Sequence, residues 1–350
     1  MNWLVGTYSK RNSDGIYIIH FDEEKEEFNL INSFPEISPG NPSFLINGLN
    51  NKIFSVGESV NGSPGVIFSY FLSDNKLIKV DEAETNGLNP CHLAINDQND
   101  FLVAVNYSSG DFSTFSVDND GRLGFIEKKS HKGSSINKDR QNEPHAHSIN
   151  FFNNNIFFVC DLGIDKIIRY TTDSKSKKII ESNFYKTNPG SGPRHFIIDK
   201  ENKAAYSINE LDSTINFFNI SPDMDLISKQ VISTIPKDYN FETTTADIHL
   251  SKDKNYLYGS NRGHDSISKF LVNNDGQLSF DKHFSTLGQT PRNFAISDSG
   301  NYCLVANENT DDIYSFRIDD KGDLISTGDK ISIPSPVCLL EIIKWRPYDL

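Results

Sequence analysis

The sequence from residue 192 to residue 210, GPRHFIIDKENKAAYSINE, predicts a β-hairpin. Its first part, GPRHFII, is a proline-marked apolar run, and its last part, AYSINE, is a second run that ends in polar residues. Between them, DKENK is rich in residue types that favour turns. Short apolar runs bounded by such turns are typical of paired strands. Because the same pattern recurs along the chain, this stretch decides the fold.

The second strand of this hairpin has seven copies. They read WLVGTY (3–8), FSVGES (54–59), LVAVNY (102–107), FFVCDLG (157–163), AYSINE (205–210), LYGSNR (257–262) and CLVANE (303–308). Equivalent positions, here called anchor residues, are Thr7, Gly57, Asn106, Asp161, Asn209, Asn261 and Asn307. Successive anchors lie 46 to 55 residues apart. A repeat of this period predicts an all-β fold, a seven-bladed β-propeller with four antiparallel strands in each blade.

The two ends of the chain are predicted to share one blade. The chain begins with a second-strand sequence, WLVGTY, whereas SPVCLLEI (335–342) has the pattern of a first strand, like NPSFLI, NPCHLAI and TPRNFAI. Pairing these strands closes the ring and removes the exposed edges that an open ring would have. The prediction is therefore one domain, residues 1–350, with a short C-terminal tail at 343–350.

Composition restricts the classes of partner. The chain has 350 residues, 37% of them hydrophobic and 23% charged, as expected of a soluble globular protein. Its formal net charge of −13 disfavours a nucleic-acid or anionic-membrane partner. No signal peptide and no membrane-spanning run is apparent. The four cysteines are scattered in or beside apolar runs, so we expect free thiols and a cytoplasmic location.

Propeller topology predicts where functional side chains gather. The first strand of a blade lines the central channel, and it begins on the face of the disc where the second strand ends. A polar residue that breaks the repeat near that face is therefore a candidate site residue. Candidates on first strands are His145, His147, Arg194, His195, Asp247, His249 and Arg292. Candidates at the ends of second strands are Asp161, Asn209, Glu210, Asn261, Arg262, Asn307 and Glu308.

Several of these side chains also have structural interpretations. Asparagine at a strand end often bonds the nearby backbone in an Asx-turn. If Arg194 and Glu210 have only a structural role, they form an ion pair in which Glu210 satisfies the buried guanidinium of Arg194. Zinc would need three or four converging ligands, for which the available histidines are His145, His147, His195 and His249. We predict no metal and no cofactor, since G-x-S-x-G, P-loop and dinucleotide motifs are absent from the sequence.

The combined motifs resemble those of a known family. NPCHLAI, QNEPHAHSINF, GSGPRHF, LYGSNRGHDSI and TPRNFAI together resemble the lactonase family of seven-bladed propellers over essentially the whole chain. That family includes the propeller-type 6-phosphogluconolactonases of bacteria and the carboxy-muconate lactonizing enzymes of fungi. The resemblance implies a catalytic cluster of one histidine, one glutamate and two arginines, which correspond to His147, Glu210, Arg194 and Arg262.

The resemblance implies hydrolysis of a sugar lactone, and 6-phosphogluconolactone, of the pentose phosphate pathway, is the expected substrate. We expect His147 or Glu210 to act as general base, while Arg194 and Arg262 hold the substrate anion and offset the developing negative charge. The predicted substrate-binding residues are His145, His195, Asn209, Asp247, His249, Asn261, Arg292 and Glu308. The alternatives are another lactone chemistry, such as carboxy-muconate cyclisation, and a non-enzymatic propeller that binds a protein partner.

Overall fold

The computed structural model describes residues 1–35 and 40–343. The predicted tail, 343–350, lies outside the described residues except for Ile343. Regular structure is almost entirely β-strand, and the one helix in the described ranges is the single 3₁₀ turn Leu162–Ile164. No helix in those ranges has the length and apolar character that a membrane span requires.

The strands follow one another blade by blade. The chain starts with three strands of blade 7, which are β1 (Asn2–Thr7), β2 (Ile16–Asp22) and β3 (Glu27–Phe34). Blade 1 contains β4 (Leu45–Asn47), β5 (Lys52–Gly57), β6 (Val66–Ser73) and β7 (Lys76–Glu84). Blade 2 contains β8 (Pro90–Ile95), β9 (Phe101–Asn106), β10 (Asp111–Val117) and β11 (Leu123–Ser130). Blade 3 contains β12 (Ala146–Asn153), β13 (Ile156–Asp161), β14 (Lys166–Thr172) and β15 (Ile179–Lys186).

The second half of the chain repeats the arrangement. Blade 4 contains β16 (Pro193–Asp199), β17 (Ala204–Asn209), β18 (Thr214–Ile220) and β19 (Leu226–Ser233). Blade 5 contains β20 (Thr244–Leu250), β21 (Tyr256–Arg262), β22 (Ser266–Val272) and β23 (Leu278–Ser285). Blade 6 contains β24 (Pro291–Ile296), β25 (Tyr302–Asn307), β26 (Asp312–Ile318) and β27 (Leu324–Ser332). The last strand is β28 (Pro336–Glu341), which returns to blade 7.

The strands form seven four-stranded antiparallel sheets, as predicted. Blade 7 has the order β28-β1-β2-β3, so strands from the two ends of the chain pair with each other. Val5 lies opposite Leu339 in that pairing. The predicted ring closure is therefore confirmed.

The burial pattern of each strand follows from its place in the blade. Second strands have neighbours on every side, and β5, β9, β17 and β25 bury all six of their residues. This explains their continuous apolar runs. The outermost strand alternates instead, as in β19, where every second residue is exposed. Adjacent blades pack through side chains such as Trp3 and Tyr17 of blade 7, which share a buried cluster with Tyr302 and Leu304 of blade 6.

First strands share a bulge immediately after they begin. In β16, Pro193 pairs with Asn209 and His195 pairs with Ile208, so Arg194 is left without a partner in the ladder. The same shift in four other first strands leaves out one residue each, namely Cys91, His147, Arg292 and Val337. A bulge re-aims the side chain of the extra residue. We call these five residues the bulge ring, since all of them line one cavity in the channel.

Candidate active site

A pocket of about 480 Å³ lies at the channel mouth. It is lined by Tyr8, Glu58, Asn89, Cys91, Tyr107, Ser108, Arg140, His147, Glu210, Glu242, Thr244, Arg262 and Arg292. A smaller cavity, lined by the bulge ring with Ser43, Phe44, His195 and Asn293, shares three of these residues. The pocket therefore opens from the face of the disc into the channel.

Two repeated positions supply most of the pocket lining. One is the bulge position of the first strand. The other is the residue directly after the anchor residue of the second strand, and it supplies Tyr8, Glu58, Tyr107, Glu210 and Arg262. The scaffold thus brings the same two positions of several blades to one place.

The centre of the site is the buried carboxylate of Glu210. Its Oε2 lies 3.0 Å from Arg194 Nε and 3.0 Å from Arg262 Nη2. Arg140 Nη2 donates to Oε1 at 2.6 Å. His147 Nε2 lies 4.0 Å from Oε2. The structure therefore brings together the four residues that the resemblance indicates and adds a third arginine.

Backbone contacts fix the members of this cluster. Arg194 Nη1 donates to the carbonyl oxygen of Ala246 at 2.6 Å, and Arg262 Nη2 donates to that of Thr245 at 2.7 Å. Both carbonyl groups belong to β20, so one channel strand orients two guanidinium groups. These bonds fix the direction in which each guanidinium group faces the Glu210 carboxylate.

The turn that precedes Arg194 holds Glu210 from the other side. The Glu210 N–H donates to the carbonyl oxygen of Gly192 at 2.7 Å. Gly192 has a φ of +64°, and a Cβ there would lie 2.7 Å from Leu211 Cγ. A side chain at this position would therefore be strained and would collide with the residue after Glu210. Gly192 therefore has a structural role, because it permits the turn that places Arg194 against Glu210.

The charges of the cluster set its protonation states. Burial alone would raise the pKa of Glu210, but Arg262, Arg194, His147 and Arg140 together hold it well below its ordinary value. Burial, followed by the charge of Arg194, lowers the pKa of His147 well below its ordinary value. At neutral pH Glu210 is therefore ionised and the His147 imidazole is neutral.

Asp247 holds a second polar cluster deeper in the channel. Its Oδ1 lies 2.7 Å from His195 Nδ1, and its Oδ2 lies 3.0 Å from His249 Nε2. Asn293 Nδ2 donates to Oδ2 at 2.6 Å. Arg194 Nη1 lies 3.1 Å from His195 Nε2, which connects this cluster with the Glu210 cluster. Asp247 thus ties the first strands of blades 4, 5 and 6 together beneath the pocket.

We expect Asp247→Asn to destabilise the fold by about 3 kcal/mol, because it leaves buried donors around a neutral amide. Burial raises the pKa of Asp247, but His249 and His195 outweigh it and hold the pKa well below its ordinary value. Its stabilising effect is therefore full above the pKa of an unfolded aspartate and is lost as the pH falls toward the lowered value. Urea unfolding at several pH values checks both expectations. Asp238→Asn, at an exposed carboxylate, is the control, and equal unfolding curves would contradict the prediction.

Other predicted substrate-binding residues lie outside the pocket lining, and two of them bond groups in the neighbouring turns. Asn209 Nδ2 donates to Thr214 Oγ1 at 2.8 Å, and Asn261 Nδ2 lies 3.2 Å from Ser266 Oγ. Asn261 Nδ2 also donates to the carbonyl oxygen of Thr234, which follows β19 of blade 4, at 3.2 Å. Both amides thus hold local structure, and their role in substrate binding stays a prediction. His145 stacks on the Tyr107 ring, with 4.5 Å between ring centroids.

Glu308 occupies the far side of the site. Its Oε1 lies 3.5 Å from Lys10 Nζ, and its Oε2 lies 3.9 Å from Arg292 Nη1. Glu308 is buried and lies beside Arg292, but it does not line the pocket itself. Arg292 does line it, so its predicted position at the site agrees with the structure.

The histidines considered for zinc do not converge. His195 and His249 bond Asp247, whereas His145 stacks on Tyr107. Within residues 1–35 and 40–343, no three His, Cys, Asp or Glu side chains are grouped as a metal site requires.

Sequence reasoning missed Arg140, Tyr107, Tyr8 and Glu58. The last three follow anchor residues in the same way as Glu210 and Arg262, so the repeat carried a signal for them. Arg140 has no equivalent in the repeat, since it lies in the loop between β11 and β12. It bonds Tyr107 Oη at 3.1 Å as well as Glu210. Only the folded loop reveals its role in the cluster.

Comparisons with known proteins agree with this architecture. The family model described as Lactonase, 7-bladed beta-propeller, matches residues 2–341. A 6-phosphogluconolactonase of Bacillus subtilis is 34% identical over 344 residues, which cover 96% of each chain. A 6-phosphogluconolactonase of Formosa agariphila is also 34% identical and covers 90% of this chain and 92% of its own.

A solved structure gives the same result. The periplasmic gluconolactonase of Pseudomonas aeruginosa superimposes with a TM-score of 0.89 at 28% identity, covering 97% of this chain and 98% of its own. Family match, sequence identity and three-dimensional similarity thus all extend over nearly the full chain. This protein therefore belongs to the lactonase family of seven-bladed β-propellers and is an enzyme of the lactonase class.

Proposed function

We propose that this enzyme hydrolyses 6-phosphogluconolactone to 6-phosphogluconate, a step of the pentose phosphate pathway. The observation that carries the proposal is the neutral imidazole of His147 beside three arginines that share the Glu210 carboxylate, at a pocket that His147, Glu210, Arg140 and Arg262 line. Relatives named as 6-phosphogluconolactonases support the choice of substrate. The cytoplasmic location expected from the sequence stays a prediction.

We assign the general base to His147. A neutral imidazole can accept a proton from water as the water oxygen attacks the lactone carbonyl carbon. When the ring C–O bond then breaks, the same imidazolium returns the proton to the departing ring oxygen. The products are a carboxylic acid, which ionises, and a hydroxyl group, so atoms and charges balance.

Glu210 has a different role in this mechanism. An ionised carboxylate with three arginine partners and a strongly lowered pKa is a poor proton acceptor at neutral pH. It instead orients Arg194 and Arg262 so that their N–H groups stabilise the negative charge that develops on the carbonyl oxygen. Glu210 is thus a positioning residue, and its charge keeps the arginines close together despite their mutual repulsion.

A substrate panel tests the proposal. We expect the purified protein to open 6-phosphogluconolactone well above the spontaneous rate and gluconolactone more slowly, and not to cyclise carboxy-muconate. Ring opening is followed by acid release and cyclisation by loss of the diene absorbance, with the rate in buffer alone subtracted from each measurement. Turnover of carboxy-muconate without turnover of either sugar lactone would favour the alternative lactone chemistry. A polar, arginine-rich pocket gives no support to the protein-binding alternative, which predicts an apolar patch.

A further inference from the structure

The two sides of the pocket differ in how their positive charges are compensated. On the side of blades 3 to 5, Arg140, Arg194 and Arg262 all contact Glu210. On the side of blades 6 and 7, Arg292 of β24 lies beside Tyr8, which directly follows β1. A site that accepts an anion needs a cation whose hydrogen-bond donors are still available.

The guanidinium of Arg292 has this property. The carboxylate oxygen nearest to it, Glu308 Oε2, lies 3.9 Å from Nη1, which is beyond hydrogen-bond distance. Its five N–H donors have no hydrogen-bond partner anywhere in residues 1–35 and 40–343. Its side chain is 21% exposed, so it is largely enclosed but still open to the pocket. Burial lowers the pKa of Arg292, but Tyr8, Glu308, Glu210 and Glu58 outweigh burial and raise it, so the guanidinium stays charged. Its N–H donors can therefore bond an anion that enters the pocket.

The Tyr8 ring orients that guanidinium. Arg292 Cζ lies 5.0 Å from the ring centroid, in the geometry of a cation–π contact. This contact holds the guanidinium at the ring and leaves its N–H donors available for a planar or tetrahedral oxyanion. Burial raises the pKa of Tyr8 to about 12, so its hydroxyl group stays protonated at neutral pH and can donate to the same anion. Within the described parts of the chain that hydroxyl has no hydrogen-bond partner.

We propose that Arg292 and Tyr8 form the subsite that binds the phosphate group of the substrate and so select phosphorylated over unphosphorylated sugar lactones. This assignment rests on the proposed function. His147 and Arg292 belong to the same bulge ring and line the same pocket, so a lactone held by its phosphate at Arg292 presents its ester to the Glu210 side.

The test compares Arg292→Gln with Arg11→Gln on two lactones. Arg11 is a matched control, because its Nη1 donates to the Glu308 carbonyl oxygen at 2.7 Å on the same side of the disc, yet it does not line the pocket. We expect Arg292→Gln to lower kcat/KM for 6-phosphogluconolactone by about 10- to 100-fold, mainly through KM, and to lower kcat/KM for gluconolactone far less. Arg11→Gln is expected to leave both values unchanged.

A second variant keeps the test decisive if Arg292→Gln folds poorly. Tyr8→Phe removes one oxygen and retains the ring, and we expect it to cost about 5-fold in kcat/KM for the phosphorylated lactone only. Equal losses on both lactones would place Arg292 at the reacting carbonyl and overturn the assignment, as would no loss on either. If the wild-type protein fails to accelerate opening of 6-phosphogluconolactone, the proposed function falls together with this subsite.

Discussion

Glu210→Gln is expected to lower kcat/KM for a sugar lactone by at least about 10²-fold and to destabilise the fold by about 3 kcal/mol. Arg140, Arg194 and Arg262 all contact the Glu210 carboxylate. Without its charge, buried guanidinium groups repel one another and move away from the positions in which they stabilise the oxyanion. Steady-state kinetics and urea unfolding measure the two effects separately.

The variant Glu210→Asp separates charge from geometry. It keeps the negative charge but withdraws the carboxylate by one methylene, so we expect most of the stability to return while turnover stays reduced. Because Glu210 carries stability through a lowered pKa, that stability is full above the pKa of an unfolded glutamate and is lost as the pH falls. Wild-type turnover in Glu210→Gln would show that the carboxylate has no part in catalysis.

Removing the imidazole of His147 is expected to have the largest effect on the chemical step. His147→Gln should lower kcat by about 10²- to 10⁴-fold with little change in the thermal midpoint, since a glutamine occupies similar space but accepts no proton at neutral pH. His20→Gln is the control, because His20 lies on β2, bonds Asn2 at 2.7 Å and does not line the pocket. A His147→Gln enzyme with nearly full activity would remove His147 from the role of base.

The pH dependence gives an independent check of the same assignment. The pKa of His147 is lowered by burial and by Arg194, so the imidazole stays neutral below the pH at which an ordinary histidine gains its proton. We therefore expect wild-type kcat/KM to stay level as the pH falls through the usual histidine range and to decline only at more acidic pH. A decline centred on the ordinary histidine pKa would instead indicate an exposed base.

The fold and the centre of the site were predictable because the repeat distinguishes positions that are alike in every blade from positions at which single blades differ. A position that is apolar in every blade is packing, whereas Arg194 and Glu210 break the pattern at two positions that topology brings to one face. The same reasoning applied to Tyr8 and Tyr107 would have succeeded, since both follow anchor residues. It passed over them because tyrosine also fits a strand end.

Other features depend on contacts that no repeat encodes. Arg140 contacts Glu210 from a loop, and the periodicity of the strands does not predict the conformation of a loop. Asn209 and Asn261 have the residue type of a ligand, but each amide bonds a hydroxyl group five residues further on, a contact that the repeat does not indicate. The bulges at the start of the first strands could not be predicted either. One unpaired residue shifts the pairing register of two strands but does not change the residue types in them.

Ring closure has a consequence for when the enzyme becomes active. Tyr8 directly follows β1, whereas β28, which pairs with β1, is synthesised after every other strand of the propeller. Blades 3 to 5, which carry most of the Glu210 cluster, can pack while the chain is still being made. The side of the pocket near Tyr8 is complete only after β28 pairs with β1. This pairing closes the longest loop between paired strands in the described chain and therefore has the largest entropic cost. Lactone turnover by a growing or truncated chain would therefore report on the closing of the propeller itself.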